Sequence, residues 1–400
     1  MKITYGKNIY GAEEIKAVLN QLKKSTQMGT NVEKFEKKIA KIFSKNYGVM
    51  VNSGSSAITL ALKVLDIREN DEVITPALNF GTAISALIHI KAKPIFTDID
   101  IETLQISISQ IKKKITKKTK ALLIPNLIGN IPNWKEIKLI AHKNNLKIIE
   151  DSADTLGAKI GNKSTGVFSD ISITSFYGSH IISCAGNGGM LLTNSKKNYN
   201  KSKILRSWGR MSSVLKDSEN INNRLGIKLK GIEYDKKFIF SEPGYNFEPS
   251  EIGASFGLEQ LKKLDKFNKI RNKNFNLHLR FFEKYKNIFI LPKIHEGIKT
   301  NFLAYPIILK DNKYFERKDL QIFLEKNKIQ TRPIFSGNIL RHPAFEKLIS
   351  SRNKLIYYKN SDFIMKNGIL IGCHQGLNSK NISYIHSVIK KFIMIKCNNR

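Results

Sequence analysis

Short apolar runs alternate with stretches of helical periodicity between residues 47 and 193. The strand-like runs include GVMV, DEVIT, PIFTDID, ALLIP and LKIIED, and helical patterns such as SSAITLALKVL and TAISALIHIK lie between them. Continuous apolar strands that alternate with helices are typical of a parallel sheet covered by helices. The pattern therefore predicts an α/β fold whose ligands bind beyond the carboxyl ends of the strands.

The rhythm changes in the second half of the chain. Residues 196–243 are polar and weakly periodic, which predicts a long surface loop or an active-site flap. Beyond Ser250 a helical pattern, EIGASFGLEQLKKLDKF, precedes strand-like runs such as IFILP and YPIIL. We predict two domains on this basis, a large one at 1–250 and a smaller α/β domain at 251–400.

Composition narrows the class of protein. The chain has 400 residues, 41% of them hydrophobic, and no stretch approaches the roughly 20 apolar residues that span a bilayer. The amino-terminal sequence lacks an apolar segment of signal-peptide length, so we expect a cytoplasmic protein. The three cysteines, Cys184, Cys373 and Cys397, are far apart and odd in number, which favours neither a disulfide framework nor a cysteine metal site.

The formal net charge of +34 would suit a protein that binds phosphates, nucleic acid or anionic lipid. Lysine is spread along the whole chain, however, and the densest run, at 112–120, lacks interleaved aromatic residues. This distribution favours a solvated basic surface. Nucleic-acid binding stays open as an alternative, and tight, steeply salt-dependent binding would be its signature.

Polar residues stand where several predicted strands end. Residues 52–57 form a Gly/Ser turn whose N–H groups can hold a phosphate, although the same residues serve as ordinary helix caps. The acidic stretch 150–154 can hold a proton on a heteroaromatic nitrogen or cap a helix. Residues 175–180 end in a histidine, which in such a place is more often structural than catalytic, and 243–247 predicts only a turn before a helix.

In this order and spacing, these stretches resemble the DegT/StrS-type sugar aminotransferase family of pyridoxal-phosphate enzymes. The resemblance covers nearly the whole chain, from GKNIYGAEEIKAVL at the start to NGILIGCHQGL near the end. It implies the aspartate-aminotransferase-like fold, called PLP fold type I. That fold has a large domain with a mainly parallel seven-stranded sheet, a small C-terminal α/β domain, and a homodimer with active sites at the interface.

The resemblance also implies which residues hold the cofactor phosphate. The turn at Gly54, Ser55 and Ser56 matches the phosphate-binding turn of the family, and the hydroxyl of Ser175 matches a further phosphate ligand. Asn246 matches the residue that reaches the phosphate from the neighbouring subunit. Backbone N–H groups and hydroxyls suit a dianionic phosphate because each donates a hydrogen bond to it.

Further positions match residues around the cofactor ring. Asp151 corresponds to the partner of the pyridine nitrogen, Asp154 lies where relatives place a polar side chain near the ring oxygen, and Phe80 matches the aromatic that stacks on the ring. Three further positions lie in stretches that resemble the family's small-domain wall of the active site, and the resemblance makes them substrate-binding candidates: Arg332, Asn338 and His374. For His374, a buried structural role is the simpler interpretation.

The informative departure from the family is His180, which stands where ordinary members carry lysine. That lysine binds the cofactor covalently and then moves protons during transamination. An imidazole cannot do the first but can do the second, because it titrates near neutrality. The resemblance therefore points to the small subgroup of 3-dehydratases that act on nucleotide-linked 4-keto-6-deoxyhexoses, with pyridoxamine 5′-phosphate held without a covalent bond and His180 as base.

Cysteine positions separate two routes within that subgroup. One relative carries an iron–sulfur cluster whose cysteines follow a Trp-Gly-Arg segment. Here Trp208, Gly209 and Arg210 are followed by Met211, and no cysteine is near, so neither a cluster nor another metal is expected. The resemblance implies GDP-4-keto-6-deoxymannose as substrate, glutamate as the amino donor that restores pyridoxamine phosphate, and a place in deoxysugar and lipopolysaccharide O-antigen biosynthesis.

Two alternatives stay open at this point. Within enzymes, the chain could be an unusual nucleotide-sugar aminotransferase or another pyridoxamine-dependent lyase. Outside enzymes, it could be a degenerate homologue with a binding or regulatory role. The presence of Phe80, Asp151, Ser175 and Asn246 argues against decay, because a protein without catalysis has no need for the whole cofactor shell.

Overall fold

The computed structural model describes residues 2–215 and 218–397. The first part of the chain forms α1 (Ala12–Leu22), α2 (Thr30–Ile42), β1 (Tyr47–Val51), α3 (Gly54–Val64), β2 (Glu72–Pro76), α4 (Gly81–His89), β3 (Lys93–Thr97), α5 (Ile108–Lys114), β4 (Thr119–Pro125), α6 (Trp134–Lys143), β5 (Lys147–Asp151), β6 (Lys159–Ile160), β7 (Lys163–Ser164), β8 (Ile171–Ser175), β9 (Gly189–Thr193) and α7 (Lys196–Arg206). The remainder forms α8 (Ile221–Arg224), β10 (Ile227–Leu229), β11 (Ile232–Tyr234), α9 (Glu251–Lys262), α10 (Leu264–Glu283), β12 (Phe289–Ile290), β13 (Ile298–Lys299), β14 (Ala304–Leu309), α11 (Arg317–Lys326), β15 (Arg332–Pro333), α12 (Lys359–Asn367), β16 (Gly368–Gly372) and α13 (Ser379–Cys397).

The main sheet has seven strands in the order β1-β9-β8-β5-β4-β2-β3. Strands β8, β5, β4, β2 and β3 are parallel to one another, and β9 runs antiparallel to both β1 and β8. Every residue of β2, β8 and β9 is buried, as expected for strands that are covered on both faces. The predicted α/β class with a mainly parallel seven-stranded sheet is confirmed.

The strand directions bring the polar strand ends to one edge. Asp151 and Ser175 are the last residues of the neighbouring parallel strands β5 and β8, and β1 runs in the same direction two places away. The chain leaves β1 through Ser53, whose Oγ accepts the Ser56 N–H at 3.1 Å and so begins α3. The three stretches therefore meet beyond the carboxyl ends of the strands, as the sequence predicts.

A second, antiparallel sheet has the order β12-β14-β16-β15. Its core includes aromatic residues of α10 and α13, among them Phe275, Phe282 and Phe392. No helix within 2–215 and 218–397 combines the length and the apolar character needed to cross a membrane. The second core supports a separate C-terminal unit, but the division at residue 250 stays a prediction.

The amino-terminal residues cross the predicted boundary. Ile3 belongs to the second core and forms a parallel bridge with Ile329, while α9 packs on α1 and α2 rather than on the second sheet. Hydrophobic periodicity could not predict that these two segments pack across the predicted boundary. It indicates which face of an element is apolar, but not which other element covers that face.

Part of the predicted loop at 196–243 is helical. Lys196–Arg206 forms α7, with the Ser195 hydroxyl accepting the Asn198 N–H at 3.2 Å as its cap. The helix buries Ser202, Leu205 and Arg206, so its inner face is mixed polar and apolar and gives a weak periodic signal. The later part of the segment matches the prediction better, since the hairpin β10-β11 lies at the surface.

Candidate active site

A cavity of about 340 Å³ opens at the carboxyl ends of β1, β5 and β8. Residues from distant parts of the sequence meet on its walls, many of them because parallel strands end at the same edge of the sheet. Seven of the residues predicted for the site line this cavity: Gly54, Ser55, Phe80, Asp151, Asp154, Ser175 and His180.

One end of the cavity is the beginning of α3. Gly54 and Ser55 open this helix, so its first N–H groups and its positive dipole end face the cavity wall. A Cβ atom at Gly54 would lie 2.9 Å from the Cβ of Ser175, so the glycine lets Ser175 approach the helix start. This end of the cavity is suited to an anion.

Ser56 is the exception within the predicted turn. Its N–H donates to Ser53 Oγ at 3.1 Å, its hydroxyl donates to Asn52 Oδ1 at 2.6 Å, and the side chain is buried outside the cavity lining. The structure thus gives Ser56 to the helix cap, because the residue at this position turns inward with the first helical turn.

Two buried acids form another wall. The Asp151 carboxylate accepts the Ala153 N–H at 3.0 Å, and burial raises its pKa to about 6. Asp154 accepts the Ile128 N–H at 2.8 Å, and burial, together with the charge of Asp151, raises its pKa to about 7. Both carboxylates are therefore costly as anions in the free protein, and a cationic or hydrogen-bond-donating ligand would stabilise them.

Phe80 presents an aromatic face at the mouth of the cavity. Its side chain is 53% exposed and meets Phe335 edge to face, with ring centroids 6.1 Å apart. The preceding Asn79 holds it in place, because Asn79 Oδ1 accepts the Phe80 N–H at 2.8 Å and Asn79 Nδ2 donates to Thr75 Oγ1 at 2.8 Å. An exposed ring on a fixed backbone is suited to stacking on a planar ligand.

His180 lies in the loop between β8 and β9. Its backbone N–H donates to the Tyr177 carbonyl at 2.9 Å, and its ring meets the Tyr177 ring edge to face at 5.8 Å. Nδ1 is buried and has no hydrogen-bond partner among the described residues. Burial lowers the pKa of His180 to about 4, with the Ser175 backbone opposing this shift and the Arg271 charge adding to it. The imidazole is therefore a neutral base at physiological pH.

Two predicted residues lie near the cavity without lining it. Asn246 is exposed, and its backbone carbonyl accepts a hydrogen bond from Asn52 Nδ2 at 3.5 Å. Arg332 is exposed on β15, and its guanidinium lies 5.9 Å from the centre of the Tyr5 ring, which does line the cavity. Neither side chain contributes to the cavity wall of this chain.

The other two substrate-binding candidates are buried away from the cavity. Asn338 has no exposed surface, donates to Asp362 Oδ1 at 2.8 Å and accepts the Leu340 N–H at 3.1 Å. His374 donates from Nε2 to the Thr4 carbonyl at 3.1 Å and accepts the Gly376 N–H on Nδ1 at 3.2 Å. In this structure both side chains are fully used in local packing, which for His374 agrees with the simpler interpretation.

Several cavity residues escaped the sequence analysis, including Tyr5, Asn126, Leu303 and Phe335. Asn126 had a usable signal, because it directly follows the buried strand β4 just as the predicted site residues follow β1 and β8. The other three come from distant parts of the chain, and no local pattern marks them.

A buried network of polar side chains holds β5, the strand that ends at Asp151. Asn126 Nδ2 donates to Glu150 Oε1 at 2.9 Å and to Ser152 Oγ at 2.7 Å, while Trp134 Nε1 donates to Asn126 Oδ1 at 2.9 Å. Ser172 Oγ donates to Glu150 Oε2 at 2.6 Å. The carboxylate of Glu150 thus accepts hydrogen bonds from the side chains of Asn126 and Ser172, and these bonds hold the end of β5, where Asp151 lies.

Known proteins are similar to this chain in sequence and in fold. The lipopolysaccharide biosynthesis protein RfbH of Salmonella typhimurium is 32% identical over 397 residues, which cover 96% of this chain and 90% of that protein. The GDP-4-keto-6-deoxy-D-mannose 3-dehydratase of Escherichia coli O55:H7 is 32% identical over 387 residues, covering 94% of this chain and 96% of that protein.

A solved structure of E. coli GDP-4-keto-6-deoxy-D-mannose-3-dehydratase with bound hydrated PLP has a TM-score of 0.86 to this chain at 30% identity. The match covers 97% of this chain and 100% of that one, which confirms the predicted aminotransferase-like fold. The family described as the DegT/DnrJ/EryC1/StrS aminotransferase family matches residues 8–390. This chain belongs to the DegT/DnrJ/EryC1/StrS aminotransferase family.

Proposed function

We propose that this protein is a 3-dehydratase of a nucleotide-linked 4-keto-6-deoxyhexose, that it works with pyridoxamine 5′-phosphate, and that His180 is its base. The observation that carries the proposal is the placement of a neutral imidazole in a cavity with an anion-binding helix start, two buried acids and an exposed aromatic ring. Similarity to the GDP-4-keto-6-deoxy-D-mannose 3-dehydratase of E. coli supports the same reaction class.

The cavity residues fit pyridoxal or pyridoxamine 5′-phosphate. The start of α3 at Gly54 and Ser55, together with the Ser175 hydroxyl, would hold the phosphate, and Phe80 would stack on the ring. Asp151 would hold the proton of the ring nitrogen, and that cation would restore the ionised form which burial disfavours. When bound, this group supplies an electron sink for the removal of a proton and the loss of a hydroxyl group.

The cavity contains a histidine but no lysine among its described lining residues. A ring nitrogen of His180 can accept a proton because the imidazole is neutral at physiological pH. Once charged, the buried imidazolium is a strong acid and can return the proton to a departing hydroxyl. Without an amine on the wall, the chain would hold its cofactor only through the phosphate, ring and nitrogen contacts given above.

The finer parts of the proposal concern partners. GDP-4-keto-6-deoxymannose as substrate rests on the similarity to the E. coli GDP-4-keto-6-deoxy-D-mannose 3-dehydratase, and glutamate as amino donor rests on the family resemblance. We also propose a cytoplasmic homodimer, in which Asn246, exposed on this chain, completes the phosphate site of the neighbouring subunit.

The absence of an iron–sulfur cluster is likewise proposed. Cys184 and Cys373 are buried in different core clusters, and Cys397 lies near the end of α13. Cluster ligands must converge on one point, which these three positions do not do. No group of metal-ligating side chains occurs within 2–215 and 218–397.

The second candidate is a nucleotide-sugar aminotransferase, which the family description favours. Amino transfer normally needs the lysine that this cavity lacks, so we place it second. A degenerate homologue with a binding role and a nucleic-acid-binding protein remain the alternatives outside enzymes.

One assay separates these candidates. Purified protein is incubated with pyridoxal phosphate and glutamate, then with GDP- or CDP-linked 4-keto-6-deoxyhexose, and the sugar is followed by mass spectrometry. Dehydratase activity yields a 4-keto sugar that has lost one oxygen atom while glutamate becomes 2-oxoglutarate and ammonia. Amino transfer would instead replace the keto oxygen by an amino group, and an unchanged sugar with both nucleotides would refute the proposal.

A further inference from the structure

Arg271, on α10, is a fully buried arginine behind the cavity. Its Nη1 donates to the carbonyls of Phe302 and Leu303 at 3.0 and 3.1 Å, and its Nη2 donates to the carbonyl of His180 at 3.5 Å. Nε has no partner among the described residues, and no carboxylate is among the groups whose charge affects the pKa of the guanidinium.

A buried guanidinium without a carboxylate is costly, because three backbone carbonyls replace only part of its hydration. An apolar side chain of similar volume could fill the same space without this cost. Arginine differs from such an apolar residue in its charge and in its planar set of donors. One of these donors contacts the carbonyl of His180, in the loop that carries the proposed base.

The groups that Arg271 joins belong to the cavity. His180 and Leu303 both line it, although one lies after β8 and the other precedes β14. The guanidinium thus connects α10 to the loop of His180 and to the opposite wall through carbonyls alone. Because carbonyl groups are present whatever the side chain, this connection fixes the backbone of His180 and not its ring.

The charge of Arg271 also affects the protonation of His180 inside the cavity. The titratable groups that share the cavity with His180 are Asp151, Asp154, Tyr5 and Tyr177. Burial and the charge of Arg271 both favour a neutral imidazole, and the Ser175 backbone opposes them. The guanidinium behind the loop therefore opposes protonation of the proposed base.

We infer that Arg271 is a positioning residue for His180, which it anchors through the backbone carbonyl and keeps unprotonated by placing a positive charge behind it. The inference deepens the proposed function, in which His180 is the base, and it rests on that function for its consequence in turnover.

The test uses two substitutions of Arg271 in the full-length protein. Arg271→Met removes the charge and the donors but keeps an apolar chain, whereas Arg271→Lys keeps the charge and loses the planar fork. The control is Arg206→Met, because Arg206 is also a buried arginine but is paired with Glu36 instead of facing the cavity. Ring signals of His180, assigned by their absence in His180→Asn, are titrated by NMR without substrate.

We expect the titration midpoint of His180 to move to higher pH in Arg271→Met and to stay low in Arg271→Lys and Arg206→Met. Both Arg271 variants should lose turnover, roughly 10- to 100-fold in kcat, because the base is misplaced. The acid limb of the kcat profile should move to higher pH only in Arg271→Met.

Two results would overturn the inference. One is an Arg271→Met protein whose His180 titration and pH profile match the wild type, which would make Arg271 a structural residue. The other result is an Arg271→Lys protein with wild-type kcat. Its contact with the His180 carbonyl is altered, so unchanged turnover would show that this contact does not position the base. This second result decides the question if the Met variant does not fold. If the wild-type protein shows no dehydratase turnover, the proposed function fails, but the NMR titration still tests the link between Arg271 and His180.

Discussion

The start of α3 and the end of β8 touch at Gly54 and Ser175, where a Cβ on the glycine would lie 2.9 Å from the serine Cβ. Such a distance is shorter than real Cβ contacts allow, so a larger residue at position 54 must push Ser175 or the helix start aside. The contact therefore sets the spacing of two residues that both line the proposed phosphate site.

We therefore expect Gly54→Ala to weaken pyridoxamine phosphate binding by roughly tenfold, the equivalent of about 1.4 kcal/mol, with little change in melting temperature. The loss should arise because the new methyl group pushes Ser175 away from the ligand. Equilibrium dialysis would measure it. Gly81→Ala is the control, since Gly81 also opens a helix but a Cβ there meets only Phe345 at an ordinary 3.5 Å. Equal losses in both variants would argue against the contact as the cause.

Borohydride reduction tests the role of residue 180. The native protein should not retain reduced pyridoxal phosphate after denaturation, because no lysine occurs among the described residues of the cavity wall. His180→Lys should retain it, as shown by a mass increase on the peptide that contains residue 180. His180→Asn should still bind the cofactor but lose deoxygenation. A labelled lysine elsewhere in the native chain would show that the mechanism is different.

Asp151→Asn should raise the dissociation constant of pyridoxamine phosphate by roughly 10- to 100-fold, as expected for a hydrogen bond to a charged group worth about 1.5–3 kcal/mol. The amide keeps the shape of Asp151 but cannot stabilise a proton on the ring nitrogen. Quenching of protein fluorescence would measure binding. Asp154→Asn provides a comparison, because it leaves Asp151 in place and should have the smaller effect. The reverse order would exchange the roles of the two acids.

Acid should destabilise the C-terminal core through a pair of histidines. His278 Nδ1 and His386 Nε2 lie 3.0 Å apart, and His278 Nε2 donates to the Gly372 carbonyl at 3.2 Å. Burial lowers the pKa of His278 to about 3, with the charge of His386 adding to the shift, and burial lowers the pKa of His386 to about 4.

Both folded-state pKa values lie below the ordinary value of 6.5, so the unfolded chain takes up protons first as the pH falls. The contribution of these two histidines to stability should therefore be constant above pH 6.5. It should decline as the pH falls from 6.5 toward the folded-state values, by roughly 3 kcal/mol between pH 6.5 and 4 for the fully buried His278. Urea unfolding across this range would show the slope. His278→Gln should flatten it, and an unchanged slope in that variant would assign the effect to other groups.

Removing one partner of the buried ion pair between Glu36 and Arg206 should be strongly destabilising. Glu36 Oε1 accepts from Arg206 Nη1 at 2.8 Å and from the Met50 N–H at 2.8 Å. Glu36→Ala should lower the free energy of unfolding by about 3–5 kcal/mol, because it leaves a buried guanidinium unpaired. The double variant Glu36→Leu with Arg206→Met should recover much of this loss. A double variant as unstable as Glu36→Ala would contradict the desolvation argument.

Local patterns were sufficient for much of the fold and for one side of the site. Asp151 and Ser175 could be placed because each ends an apolar strand, and ends of parallel strands share an edge. The same reasoning failed to distinguish Ser55, which faces the cavity, from Ser56, which caps the helix. Both serines fit a Gly/Ser turn, and only the direction of the first helical turn separates them.

Long-range packing decided the rest. Asn338 and His374 stand in stretches that resemble an active-site wall, yet both side chains are buried in local hydrogen bonds. Tyr5 reaches the cavity from the amino terminus because the chain around Ile3 packs on the C-terminal core. Such contacts depend on surfaces that meet only after the two sheets have formed, so no short window of sequence contains them.

The sequence by itself determined that residue 180 is a histidine and that its neighbours in the order of the chain are those of a cofactor-binding family. It also determined that the residue follows an apolar strand. Only the tertiary structure decided that the imidazole is neutral and that it lines the same cavity as the two acids. That state depends on burial and on the charge of Arg271, 91 positions away along the chain, and desolvation arises only when distant segments enclose the same space.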